Sequence, residues 1–143
     1  MFRLFPLLLI PIVVYNLFVF GGGLFGVHDI QDLLSLNHAV SFHMFSGDTW
    51  KIGSGDIFVI VSLVFLFIEV VKSTHTTSTE LINHGLSLAV FIVALVEFLM
   101  LKGFATSPFF FIVLMTLFDV IAGYTISIIA AEHDLGIGRA GTD

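Results

Sequence analysis

Residues 108–131 read PFFFIVLMTLFDVIAGYTISIIAA, 24 residues with one charged side chain, Asp119. At 1.5 Å per residue a helix of this length reaches about 36 Å, enough to cross the roughly 30 Å hydrocarbon layer of a bilayer. Ser107 before Pro108 offers an N-cap followed by proline at the first helical position, where its missing N–H costs nothing. The stretch predicts a membrane-spanning helix.

Three further apolar runs precede it. Residues 78–102 predict another span, opened by the capping-box spacing of Thr77 and Glu80 and closed by Lys102 and Gly103. Residues 56–74 predict a second, N-capped by Asp56, with Glu69 and Lys72 one turn apart and Lys72 reaching for the headgroups. Residues 4–25 predict the first span. Its apolar core is too long, and lacks the small-x-small site, for a cleaved signal, so it reads as an uncleaved anchor with Pro6 in the first turn and Pro11 kinking its interior.

The segment 27–55 is the one long polar loop. Ile30, Leu33 and Leu34 follow helical spacing and predict a short amphipathic helix. Val40, Phe42 and Met44 then alternate with Ser41, His43 and Phe45. Ser46-Gly47-Asp48 supplies turn residues, and Thr49-Trp50-Lys51-Ile52 alternates again, which predicts a β-hairpin at the membrane surface. Trp50, the single tryptophan, stands where an interfacial aromatic is expected. The Gly-rich polar tail 132–143 reads as disordered.

The expected fold is therefore an all-α membrane protein in one transmembrane domain, 1–143. It is a four-helix transmembrane bundle with a short amphipathic helix and a small β-hairpin in the first extramembrane loop. Composition agrees: 57% hydrophobic, 11% charged and a mean hydropathy of +1.09 exclude a soluble globular domain. Five Lys and Arg in 143 residues cannot form the clustered cations that phosphate binding needs, so no nucleic-acid partner is expected. The absence of Cys removes disulfides, thiolate metal sites and thiol chemistry. Four spans would place Arg3, Lys72 and Arg139 on one side and Lys51 and Lys102 on the other, which favours cytoplasmic termini in a bacterial inner (plasma) membrane.

Three spans carry a carboxylate, and an ionised acid at mid-bilayer costs about 2.5–3.5 kcal/mol on insertion scales, so each needs a partner. Glu69 with Lys72 reads as an interfacial ion pair. Glu97, about 7 Å from Lys102 along the helix, shares a face with Ala94, Val90 and Asn83 and points inward or toward the nearer headgroups. Asp119 falls near the midplane, and Asn16 comes out at similar depth, so an Asn16–Asp119 hydrogen bond between helices is expected. The site reads two ways: polar glue, or a proton or cation site with Glu97, Asn16 and Tyr124 as neighbours. Gly123, Ser127 and Ala131 form a small-xxx-small series on or near the Asp119 face.

Histidine suggests little. No span has one in its middle, so a bis-His haem is not expected, and His75, His84 and His133 lack the spacing of a preformed helical site. His28, Asp32, His38 and His43, with Asp29 and Asp48, offer nitrogen and oxygen ligands for a divalent metal without a diagnostic spacing. No cofactor is expected. There is no G-x-S-x-G and no phosphate-binding glycine loop, so the chain does not read as an enzyme. Two functions compete. One is an accessory, assembly or structural subunit that docks its hairpin and helix faces onto other membrane chains or onto itself. The other is a small proton- or ion-coupled transporter or channel using Asp119 and Glu97.

Overall fold

The computed structural model describes residues 5–22, 29–35, 40–74 and 80–139. The chain is mostly helical, in the order α1 (Leu9–Gly21), α2 (Ile30–Leu33), β1 (Val40–His43), β2 (Thr49–Ile52), α3 (Ser54–Ser73), α4 (Glu80–Met100) and α5 (Ser107–Arg139).

Among the described residues three helices have the length and apolarity to cross a membrane: Ser54–Ser73, Ile82–Met100 and Ser107–Ile129. Such a set is that of a membrane-embedded protein. The expected first span contracts to α1, whose 13 residues reach about 20 Å. The cause lies at its entry. Leu9 N–H donates to the Pro6 carbonyl and Ile10 N–H to that of Leu7, both at 3.0 Å, so the chain arrives through tight turns and the α-helix starts late. Pro11 is then the third helical residue, in the first turn, where the N–H groups have no intrahelical partner and its missing N–H costs nothing.

Other boundaries move for equally local reasons. α3 starts at Ser54, because Asp56 serves from inside the helix and accepts the Gly53 N–H at 2.9 Å instead of acting as N-cap. Capping of α5 falls on Thr106, whose carbonyl accepts from Phe110 (3.0 Å) and whose hydroxyl accepts from Phe109 (3.4 Å). The largest correction is the tail: α5 continues to Arg139, through residues expected to be disordered. Once a long helix is nucleated, each further residue adds a hydrogen bond. Gly136 and Gly138 cost only about 1 kcal/mol each relative to Ala, with no proline to stop it. The amphipathic helix is the single turn α2, capped by the Asp29 carboxylate accepting from Gln31 N–H at 2.9 Å.

The hairpin forms as read. Val40 pairs with Ile52, Ser41 with Lys51, Phe42 with Trp50 and His43 with Thr49. Met44 N–H donates to the Asp48 carbonyl (2.8 Å) and Gly47 N–H to that of Met44 (3.0 Å). Gly47 sits at φ +93°, the left-handed position that a three-residue hairpin loop asks of glycine.

Short connections make α3, α4 and α5 run antiparallel in sequence, and α5 lies in the middle, packed against both others. α1 lies against α5, with Leu7 beside Glu69 at the far end of α3 and Tyr15 beside Phe58 near its start, so α1 runs opposite to α3. The core joins Ile12 and Tyr15 to Val90, Ala94, Phe104, Phe109, Ile112 and Val113. Ile30 of α2 closes one end of it.

Candidate functional site

The ionisable groups inside the bundle and their partners fall into two layers. Measured at 1.5 Å per residue, Glu69 lies about 22 Å from Ser54, Asp119 about 18 Å from Ser107 and Ser87 about 20 Å from Met100. The three start points are at the hairpin end, so these residues share one level: the inner layer.

Glu69 is wholly buried. Its Oε1 pairs with Lys72 Nζ at 2.6 Å and its Oε2 accepts the Leu7 N–H at 3.0 Å. Lys72 also donates to the Phe5 carbonyl at 2.9 Å. The expected pair is thus present, and its carboxylate is buried within the protein, with Phe5 and Leu7 of the turn before α1 bonded to the two partners. Asp119, also buried, takes the Ser87 hydroxyl as hydrogen-bond partner and lies within electrostatic reach of Glu69, Lys72 and His84. His84 Nε2 meets Ser127 Oγ at 2.8 Å and its ring lies 5.6 Å from that of Tyr124. Gly123 makes room for it: a Cβ there would come within 2.4 Å of His84 Nδ1. Asn83 is buried beside these groups in sequence, and its Oδ1 has no partner among the described residues.

The outer layer is smaller. Asn16 Nδ2 donates to both Glu97 oxygens at 3.1 Å and to its own helix at the Ile12 carbonyl, 3.0 Å. Tyr15 OH reaches the Gly103 carbonyl at 3.0 Å and Thr106 Oγ1 at 2.6 Å. Ile12, Val90, Ala94, Ile112 and Val113 lie between the layers. Ser62 and Thr116, also buried there, donate to carbonyls of their own helices, Phe58 and Val113, at 2.7 Å. Among the described residues no hydrogen-bonded chain connects the two layers.

This arrangement corrects the expected Asn16–Asp119 bond. Leu7 sits at Glu69, on the inner level, and Asn16 follows nine residues later, about 13 Å farther along. That distance brings it to Glu97 and away from Asp119. Tyr124, expected near Asp119, has its ring 5.6 Å from that of His84, which is itself within electrostatic reach of Asp119. Tyr15 and His84 were not foreseen as buried anchors. The small-xxx-small series at Gly123 and Ser127 carried the signal for a close neighbour but not its identity.

Only part of the metal-candidate set falls on described residues. Asp32 lies on α2 and His43 on β1, both exposed, while His28 and His38 lie outside the described residues. Among the described residues no group of three or more His, Asp and Glu converges. His75 is also outside them. No family model matches the chain, and no curated protein or solved structure matches it significantly.

Proposed function

We propose that the chain is a non-enzymatic accessory or structural subunit of a membrane complex or homo-oligomer, held in a bacterial inner membrane with its termini in the cytoplasm. In this reading α1 is the fourth membrane-embedded helix. With the turns from Phe5 to Leu8 it extends to roughly 25 Å, and Glu69 and Lys72 hold that entry. The observation that carries the reading is the separation of the ionisable groups. They are satisfied within the chain on two levels, and between these lie apolar side chains and the hydroxyls of Ser62 and Thr116, each bonded to its own helix, whereas transport needs a polar route from one level to the other. The outward faces of α3 and α4, with Phe67, Val71, Ile82, Val93 and Leu99 exposed, remain available to lipid or to another chain.

The test is mass spectrometry of the protein purified in mild detergent from its native membrane. Other chains in fixed stoichiometry, or a defined homo-oligomer, are expected. Recovery as a monomer alone would remove the reading.

A second reading rests on one specific feature. Asp119 shares the inner layer with Glu69, while Lys72 is the one Lys or Arg among the described residues there, which is the charge pattern of a proton or cation site. Under it, Asp119→Asn abolishes proton flux in reconstituted vesicles carrying a pH-sensitive dye and leaves the fold intact. Equal flux in wild type and variant, or none in wild type, would remove it.

A further inference from the structure

The pairing in the hairpin sorts its side chains without exception. Residues directly opposite in an antiparallel pair project on the same face, and successive residues alternate. Val40, Phe42, Trp50 and Ile52 therefore share one face, with Met44 in phase, and Ser41, His43, Thr49 and Lys51 share the other. Among the described residues the apolar face is left about half open: Val40, Phe42, Met44 and Trp50 are 52%, 49%, 49% and 53% exposed. A two-stranded hairpin is marginal in water by itself, and a sheet with one apolar face normally has that face covered.

We propose that the bilayer covers it: the hairpin lies flat on the lipid surface at the start of α3, with Phe42 and Trp50 at headgroup depth and the Ser41, His43, Thr49 and Lys51 face in water. The proposal rests on the reading of α3 to α5 as membrane-spanning. Its first support is the tether. The 20 residues of α3 reach about 30 Å, the thickness of the hydrocarbon, which sets Ser54 at its boundary. Ile52 is two residues away, at most about 7 Å along the chain, so β2 ends within the interfacial zone. Its second support is continuity. Trp50 lines a cleft of about 710 Å³ together with Val59 and Ile60 of α3 and Phe111 of α5, with Lys51, Asp56 and Ser107 also on its walls. The indole thus shares a cleft with Ile60 and Phe111, two exposed side chains on the surface of two spans. The third is composition. Phe42 and Trp50 pack with ring centroids 6.3 Å apart, and an aromatic pair with a lysine on the water side suits the headgroup region.

Trp50 is the chain's only tryptophan, so its fluorescence reports this face alone. The whole chain would be reconstituted in phosphatidylcholine–phosphatidylglycerol vesicles, with lipids brominated near the headgroup as one quencher and aqueous iodide as the other. The expected result is blue-shifted emission, strong quenching by the brominated lipid and protection from iodide. Phe42→Ser should shift Trp50 toward iodide, and His43→Ala on the opposite face should leave both readings unchanged. Quenching by iodide without quenching by lipid would place the hairpin in water and overturn the proposal. Protection from both would show that a protein surface, a second copy or a partner, covers the face, and would overturn it equally. Flotation of the same vesicles separates the two levels of failure. Protein that floats with a water-exposed Trp50 refutes the docking alone, and protein that fails to float refutes the membrane reading beneath it.

Discussion

The layer around Asp119 and the layer around Asn16 answer one problem, polar groups inside an apolar bundle, with different means. The inner one draws on α3, α4, α5 and the turn before α1, and it combines two carboxylates, an ammonium and an imidazole. Each is placed by another, and Gly123 is emptied to admit the ring. The outer one is an amide on a carboxylate, with a tyrosine hydroxyl nearby. Its members have fallbacks: Asn16 keeps the Ile12 carbonyl, and Glu97 is not fully buried. The difference teaches that depth alone does not set the cost of a polar group. What sets it is whether the group can find another partner once its own is removed.

The largest effect should come from Lys72→Met, which leaves the buried Glu69 carboxylate without its cation. Breaking a buried pair from one side costs about 3–5 kcal/mol, to be read as a large drop in thermal unfolding temperature in detergent. Adding Glu69→Gln should recover most of it, and a double variant no better than the single would break the comparison. Next is Gly123→Ala, whose new methyl group meets the His84 ring; overpacking of this kind costs about 1–3 kcal/mol. His84→Ala in the same chain should relieve part of that loss, and additive losses would show that the ring is not what fills the space.

Smaller effects belong to the outer layer. Tyr15→Phe removes the hydroxyl that bonds Gly103 and Thr106 and should cost about 1–2 kcal/mol by the usual worth of such bonds. A loss as large as that for Lys72→Met would erase the distinction between the layers. Least of all, a double-mutant cycle on Asn16 and Glu97 should give a coupling near 0.6 and under about 1.7 kcal/mol, the range found for hydrogen bonds between membrane helices. The same cycle on Glu69 and Lys72 should exceed it.

Much of the frame was legible in the sequence, because it depends on signals within single elements. The long apolar runs, the hairpin alternation around Ser46-Gly47-Asp48, and the inward face of α4 carrying Asn83, Val90 and Ala94 all follow from period and turn chemistry. The polar partnerships were less so. Depth counted along a helix is only as good as the assumed start, and the late start of α1 moved Asn16 from Asp119 to Glu97. Which side chain fills a gap is a property of two helices together. Gly123 and Ser127 therefore announced a close approach without naming His84. The extension of α5 was hidden because a Gly-rich polar composition describes an isolated segment, not one attached to a long helix.

The placement of α1 also bears on the order in which the molecule is made. α3, α4 and α5 find one another across short connections, yet the bonds of α1 and the turn before it reach forward 62 residues to Glu69, 81 to Glu97 and 88 to Gly103. α1 is synthesised before all of them. It must wait until the last helix has been made, and the bundle closes on the segment made ahead of the rest. The Asn16 contact to the Ile12 carbonyl is local to α1. It gives the amide a partner during that interval, so the same side chain is satisfied first within α1 and afterwards by Glu97 of α4.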